Sequence, residues 1–471
     1  MTGETVLLDR SGQWTHRDRH QHHRFAIDVP DGAVELRVRW QWSPRDMGSE
    51  HEANSASLSI WDPSGFRGAL QSFDDGRWST IGETSATLGC LAGPIPAGTW
   101  ILNVDTGLIL PDGADAGHLG WRLEATARLG VRATPADAVA SRPAAGPARR
   151  RAAGRDGWFR GDLHSHTTHS DGDITVPDRV RGALERGLDF LAITDHNTIS
   201  HHRELEGWPD GIIPIRGSEI TTFHGHMNVF GLSSAIDWRG DRRGTGPAGI
   251  VEQAHRQHAL VSVNHPSAFG DPWCVGCHWD FARADYSTLD AMEVWNGRWA
   301  IPETDNEGAL ALWTDLLDAG IRLTGISGSD SHSAEEDAYL ALPSTFVHAP
   351  ELSEAAILDG IRAGRVLLSS GPTVAFRAHG SDGVEIVLPG EELPSDGRLS
   401  LDADVSAVVE PATLWFVTSG STIALGPCGP GSTHLRHDGL IATTWWRLEL
   451  RTGATPTDDL LVLTNPVYVS S

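Results

Sequence analysis

The chain has 471 residues and a formal net charge of −25, from 37 basic and 62 acidic side chains, which at roughly 100–200 residues per domain leaves room for two to four domains. It contains no lysine, excluding Schiff-base chemistry and a P-loop lysine, and its negative field disfavours nucleic acid and anionic membranes as partners. With four cysteines, no apolar run of ~18 residues and no hydrophobic leader core, the expectation is a cytoplasmic protein without a disulfide framework or a membrane partner.

From Ala33 to Trp42, apolar Val34, Leu36, Val38, Trp40 and Trp42 alternate with polar residues, the period of a strand with one wet face. Similar runs at Ala56–Ile60, Trp100–Val104 and Trp121–Leu129, separated by turn clusters, predict an N-terminal β-sandwich over residues 1–132. The Trp residues of these runs read as core rather than as a carbohydrate platform. Residues 133–157 are rich in Ala, Pro, Gly and Arg with little to bury, and read as a linker. Over residues 158–372 the period alternates. Strands are predicted at Phe190–Ile193, Ile212–Ile215, Leu260–Val263, Ala291–Trp295 and Leu323–Ile326, and helices from the Thr175 cap to Gly187 and near Gly249–His258, Glu307–Ala319 and Ser353–Ala363. Strands alternating with helices imply βαβ units and parallel pairing. Residues 373–471 lose the helices again, and runs such as Ser400–Val409, Thr413–Thr418, Ile441–Leu450 and Leu460–Leu463 predict a small C-terminal β-domain.

Of the 23 histidines, the informative ones fall with carboxylates just after the predicted strands. The chain reads His164-Ser165-His166, then His169-Ser170-Asp171-Gly172; Thr194-Asp195-His196-Asn197; Gly217-Ser218-Glu219; His226; Asn264-His265-Pro266; and Ser329-Asp330-Ser331-His332. In a parallel barrel or sheet such positions converge on one mouth. His164 and His166 are two apart, so an extended segment points both rings to one face. Imidazoles with carboxylates suit Mn, Zn or Fe, and a carboxylate can bridge two cations. Asp195 reads either as a carboxylate orienting the adjacent imidazole or as an ordinary capping residue.

The series HSH…SDG, TDHN, GSE, GHMNVFG, NHP and SDSH over residues 161–332 resembles the PHP (polymerase and histidinol phosphatase) metallohydrolase family, and more narrowly its branch related to the carbaryl hydrolase CehA/McbA, which the closing GPTV and TNPVYV segments also resemble. The resemblance implies an α/β fold with a distorted seven-stranded (β/α) barrel, flanked here by the two β-domains, and two or three divalent metal ions. It implies one ion on His164, His166, Glu219 and Asp330, a second sharing Glu219 with His226 and His265, and a third on Asp171, His196 and His332. A water between two cations loses its proton near neutral pH and becomes the nucleophile, with Asp330, Glu219 and His332 as the expected catalytic residues and Asp171 a further candidate proton carrier. The expected activity is hydrolysis of a small-molecule phosphoester, with carboxylic or carbamate ester hydrolysis as the alternative and a non-catalytic metal-containing scaffold as the rival from another class.

Substrate contacts are expected from Arg298 and Arg216, the candidate partners of an anion, and from His224 beside a ligand motif. Trp273, Trp295 and Trp299 read as an apolar wall or as core. Cys274-Val275-Gly276-Cys277-His278 matches a haem attachment pattern but, without an export signal, reads as a redox pair or plain loop thiols. His16, His20, His22 and His23 read as solvated surface.

Overall fold

The computed structural model describes the chain except residues 1–2, 50–51, 72–75, 112–116, 132–156, 241–245, 336–338, 382, 395 and 471; the expected linker falls almost wholly outside the described residues. Two four-stranded antiparallel sheets lie at the N-terminal end. One orders Glu4–Thr15, His118–Leu129, Ala33–Ser43 and Trp78–Gly82; the other orders Gln21–Val29, Gly98–Thr106, Ala56–Asp62 and Gly65–Leu70. Their inward residues, among them Leu36, Trp40, Leu58, Trp100, Leu102 and Leu123, form one core, so the period of two read from Ala33 onward places these Trp side chains in the packing between sheets.

A large mixed sheet carries the rest. Trp158–Asp162 pairs parallel with Phe190–Ile193, which pairs parallel with Ile213–Thr221. The next strand, His226–Phe230, runs antiparallel to both of its neighbours, Ile213–Thr221 and Leu260–Val263. Parallel pairing then resumes through Ala291–Asn296 and Thr324–Gly328. The expected parallel pairing thus forms in four ladders and is interrupted only at His226–Phe230, a strand the sequence reading did not include. Only residues 222–225 separate Thr221 from His226, far fewer than the roughly dozen residues of a parallel crossover, so the chain must fold back as a hairpin.

The seven strands from Trp158–Asp162 to Thr324–Gly328 follow one another in the sheet, and no ladder among the described residues joins the first to the last to close the expected distorted barrel. Trp158–Asp162 pairs on its other edge with Ser344–His348, and the sheet continues antiparallel through Val366–Ser369, Leu460–Thr464, Trp445–Thr452 and Ala412–Thr418. The ladder therefore crosses residue 372 without a break. The two ends that a barrel would join, Trp158–Asp162 and Thr324–Gly328, meet through their exit loops instead: Asp330 N–H donates to the His164 carbonyl at 2.9 Å and His166 N–H to the Ser331 carbonyl at 3.0 Å. Fully buried Arg179 clamps this junction, donating to the His166 carbonyl (2.9 Å), the Ser331 hydroxyl (2.9 Å) and the Ser331 carbonyl (3.0 Å). Arg179 lies in the helix Val176–Glu185, which starts, as its Thr-x-Pro-Asp sequence predicts, with the Thr175 hydroxyl accepting from Asp178 N–H. The other α-helices among the described residues are Ala248–His255, Asn306–Asp318 and Glu354–Arg362. None is long and apolar enough to cross a membrane.

The C-terminal strands reach the centre of the molecule through buried charge. Glu449 accepts from Arg447 Nε at 2.9 Å and from Arg451 Nε at 2.8 Å, all three side chains being buried. Arg447 goes on to Thr314 (3.0 Å) and Arg451 to Glu307 (2.5 Å), fastening the Trp445–Thr452 strand to the helix Asn306–Asp318. Burial raises the Glu449 carboxyl, but the two guanidinium groups outweigh it and hold the carboxyl below its ordinary range. Because the folded-state value is depressed, the stabilisation is present above the unfolded carboxylate pKa and is lost as pH falls through the folded one. Glu449→Gln leaves two buried guanidinium groups short of countercharge and is expected to cost about 3–5 kcal/mol, measured by urea unfolding at neutral pH.

Candidate metal centre

Six imidazoles and three carboxylates converge beside the junction just described. Glu219 does not follow its strand, as the sequence suggests, but sits inside Ile213–Thr221, 1% exposed. Its Oε2 faces His164 Nε2 (3.3 Å), His166 Nε2 (3.4 Å) and His196 Nδ1 (3.1 Å); its Oε1 faces His226 Nδ1 (3.2 Å) and His265 Nε2 (3.3 Å). Asp330 Oδ1 lies 3.1 Å from both His164 Nε2 and His166 Nε2. Asp171 reaches His196 Nε2 at 3.3 Å and His332 Nε2 at 3.5 Å. Two donors each ~2.1 Å from one cation stand roughly 3.0–3.4 Å apart, so these separations are those of ligands around shared ions.

Local backbone geometry sets the rings in place. Asp330 has φ 53° and His265 φ 26°, left-handed values that non-glycine residues adopt only when surroundings enforce them. Gly328 has room for no side chain, since a Cβ there would stand 2.2 Å from His164 Cβ. Asn197, φ 55°, donates its N–H to the Glu219 carbonyl (2.8 Å) and accepts from Thr221 N–H (2.9 Å), fastening the His196 turn to the Glu219 strand.

The far nitrogen of most rings is bound to an acceptor. His164 Nδ1 meets Glu293 at 3.0 Å, His226 Nε2 the Val275 carbonyl at 2.8 Å, His265 Nδ1 the Cys277 carbonyl at 3.2 Å and His332 Nδ1 the Asp330 carbonyl at 2.8 Å. Such contacts fix the tautomer and turn the remaining lone pair inward. Within the cluster, His164 Nε2 and His166 Nδ1 are buried with no hydrogen-bond partner. Inward nitrogens without a hydrogen bond beside buried carboxylates fit divalent cations. One ligand atom each of His164, His166, Glu219 and Asp330 lie within 4.8 Å of one another, as do those of His166, Asp171, His196 and His332, and those of His196, Glu219 and His226. His166 thus stands with the Asp171 group as well, and His196 with Glu219 and His226, while His265 faces the same Glu219 oxygen as His226.

Burial would lower the His164 imidazole, but Asp330, Glu293 and Glu219 outweigh it and carry it well above its usual value. His196 rises to about 9 because Asp171 and Glu219 overcome the same penalty. His166, pressed by burial and by the His332 and His196 rings, falls to about 4 and stays neutral, the form that ligates. Burial works to raise Glu219 and Asp330, yet the surrounding imidazoles hold both well below the carboxylate range.

A cavity of about 290 Å³ opens onto the cluster, lined by Asp171, His196, Glu219, His226, His265, Asp330 and His332. His164 and His166 lie behind this surface, fully buried. The opposite wall comes from the N-terminal sandwich: His22, Ser55, Ser57, Asp105 and Gly107, with Phe223, Trp238, Cys274, Val275 and Cys277 between. His22 is thus not solvated surface; its Nδ1 contacts buried Asp105 at 2.6 Å, and Trp238 Nε1 donates to the same carboxylate at 3.0 Å. His20 likewise pairs with Asp271 at 2.9 Å and stacks on Phe223.

The expected substrate contacts stand elsewhere. Arg216 is bound to Glu354 through both carboxylate oxygens (3.1 and 2.7 Å), Arg298 packs over the Tyr339 ring, and His224 packs edge-on to Phe281; none of the three lines the cavity. Trp273, Trp295 and Trp299 are absent from its walls too, and Trp295 is core. Asp195 does not orient His196: it accepts from Thr167 N–H and the Thr167 hydroxyl, both at 2.7 Å, and meets His201 at 3.0 Å, bracing the turn after His166.

Sequence reasoning passed over Glu293, which accepts from His265 N–H (3.0 Å) and Asn296 Nδ2 (3.1 Å) while holding His164. The signal was there, a carboxylate inside the otherwise apolar run Ala291–Trp295. It also passed over Asn264, whose side chain donates to Glu219 at 2.8 Å. Glu293→Gln removes the charge behind His164 without changing shape, and is expected to weaken divalent-ion binding roughly 10- to 100-fold, read by competition of Mn²⁺ or Zn²⁺ between the protein and a chelator.

Residues 162–266 match the PHP domain family. The chain is 29% identical over 151 residues to the uncharacterized protein MJ1587 of Methanocaldococcus jannaschii, covering 29% of this chain and 82% of that one. It is 42% identical over 83 residues to the 5'-3' exoribonuclease Rnm of Escherichia coli, a stretch that is 16% of this chain and 28% of that enzyme. Among solved structures, a two-domain protein of Bacteroides vulgatus described as containing a predicted PHP-like metal-dependent phosphoesterase aligns with TM-score 0.39 at 21% identity, over 68% of this chain and 100% of that chain. Most of the histidine-rich centre thus falls in the stretch that is similar to the PHP domain, while Asp330 and His332 lie beyond it.

Proposed function

We propose that this protein is a metal-dependent hydrolase that cleaves a phosphoester of a small molecule in the cavity beside Glu219. The observation that carries the reading is the convergence of six imidazoles on the carboxylates Glu219, Asp330 and Asp171 where a cavity opens, with His164 Nε2 and His166 Nδ1 left without a hydrogen bond. His164, His166, Glu219 and Asp330 would hold one cation, and His166, Asp171, His196 and His332 another, with His226 and His265 completing the shell around Glu219. Bound there, divalent cations acidify water and polarise the ester under attack. The PHP domain supports this assignment, as does a relative named for cleaving RNA, itself a phosphodiester polymer.

The chain's own groups then divide the work. His166 remains neutral and inert to protons. Glu219 accepts contacts through both oxygens and holds the two halves of the cluster at a fixed distance. Asp330 and His332, with side chains 23% and 32% exposed, are the more open members and border the space a leaving group must cross. They are the residues placed to move a proton to it.

A second reading has its own support. Among the described residues that line the cavity, none is an arginine, while Val275, Phe223 and Trp238 give it apolar walls. Such a pocket suits an uncharged carboxylic or carbamate ester, in keeping with the sequence resemblance to the carbaryl hydrolase branch, and leaves cations as the positive partners of a phosphate. The net charge of −25 argues for a small substrate over nucleic acid.

Purified protein loaded with Mn²⁺ or Zn²⁺ is expected to turn over p-nitrophenyl phosphate or its diester analogues. Asp330→Ala is expected to reduce turnover by about 10³-fold or more, while circular dichroism still reports a folded chain. Hydrolysis of 1-naphthyl esters and not of phosphoesters transfers the assignment to the second reading; inertness toward every ester with metal content verified defeats both.

A further inference from the structure

Cys274 and Cys277 sit in the loop after strand Leu260–Val263, are joined as a disulfide, and line the same cavity as the cluster. Their loop is held from two sides. Inside, His226 Nε2 binds the Val275 carbonyl at 2.8 Å and His265 Nδ1 the Cys277 carbonyl at 3.2 Å. Outside, Val275 packs on the sandwich at Gly107, where a Cβ would stand 3.1 Å from it. Gly276 adopts φ 73° with its backbone against Thr222, and a Cβ there would fall 2.0 Å from the Thr222 carbonyl oxygen. These contacts hold the loop backbone independently of the disulfide, so its opening keeps both cysteines beside His226.

One ligand atom each of His226, Cys274 and Cys277 lie within 4.8 Å of one another, and Cys277 Sγ is 4.0 Å from His226 Nδ1. In a tetrahedral site with ~2.3 Å metal–sulfur bonds the sulfurs stand ~3.8 Å apart, less than about 2 Å wider than in a disulfide. Since Nε2 of His226 donates to Val275, its lone pair is on Nδ1, which faces Glu219 Oε1 at 3.2 Å on one side and Cys277 on the other. One lone pair serves one cation.

We infer that the reduced Cys274–Cys277 pair and His226 form a thiolate–imidazole site for a soft divalent cation of the zinc class, closed whenever the disulfide forms. Opening follows thiol–disulfide exchange: a small-molecule dithiol gives up two electrons and two protons, becomes a disulfide, and leaves two protein thiols. Binding of the cation releases those two thiol protons to solvent as the two sulfur–metal bonds form. The redox state of the loop thereby decides whether His226 serves the Glu219 side or the sulfur side. The inference does not depend on ester hydrolysis.

Cobalt(II) added to metal-stripped, full-length protein tests it directly. Protein reduced with a dithiol and then freed of it under anaerobic conditions is expected to develop a thiolate-to-cobalt charge-transfer absorption as cobalt is added. Diamide-oxidised protein is expected to bind cobalt without that absorption, and reduced Cys277→Ser to lose it. In reduced wild type, Zn²⁺ is expected to slow iodoacetamide modification of Cys274 and Cys277 roughly ten-fold or more, read peptide by peptide so that buried Cys90 and Cys428 do not interfere. Cobalt binding by reduced wild type without the absorption, or alkylation at the same rate with and without Zn²⁺, overturns the inference whatever the variant does.

Discussion

A carboxylate buried to 1% exposure and ringed by imidazole nitrogens is the constraint on which this structure turns. Taken alone, Glu219 would pay heavily for leaving water. Its charge is sustained because His164, His166 and His196 face one oxygen while His226 and His265 face the other. The same rings keep nitrogens that protein donors and acceptors leave unused, so carboxylate and imidazoles each lack what a cation supplies. Much else in the central sheet follows from assembling this group. The short hairpin after Thr221 brings His226 back beside Glu219, Arg179 ties the His166 and Ser331 turns together, and the left-handed backbone at Asp330 and His265 is held against its own preference.

Support for the cluster extends far along the chain. Glu293 and Asn296 leave the apolar strand Ala291–Asn296 to grip His164 and Asp330. Asn306 in turn accepts from Asn296 N–H at 2.8 Å, and its helix is fastened by Arg447 and Arg451 to the C-terminal strands. Side-chain hydrogen bonds, relayed by the helix Asn306–Asp318, thus link residues around 450 to the ring of His164. This explains why the β-rich tail shares a sheet with the central strands instead of standing apart from them.

How much of this is legible beforehand depends on the kind of interaction. Phe190–Ile193 and Leu260–Val263 are readable to the residue because short, unbroken apolar runs bounded by polar turns admit little else. The placement of His196 and His265 is readable because each follows such a strand, whereas the strand before His164, Trp158–Asp162, carries Arg160 and Gly161 and does not show as an apolar run. Glu219 looks like a strand exit only because its strand is buried on both faces and carries no alternation to mark its continuation. The hairpin is hidden because His226–Phe230 resembles a loop motif by composition. Arg216 and Arg298 illustrate a further limit: charge alone does not say whether a guanidinium meets a ligand, Glu354 or the ring of Tyr339. Nor does a histidine-rich N-terminal stretch announce that one of its rings belongs in a wall some eighty residues distant in sequence from its Asp105 partner.

That wall separates two tasks. The ion-facing side of the cavity comes from the strands and turns of the central sheet, while Ser55, Ser57, Asp105 and Gly107 belong to a sandwich with its own hydrophobic core. Exchanges at Ser55, Ser57 or Gly107 would reshape that wall without touching any of the six imidazoles of the cluster. The candidate metal ligands and the wall that faces them are thus encoded in different stretches of the polypeptide, so the space in front of the cluster is set by a part of the chain that holds none of its ligands.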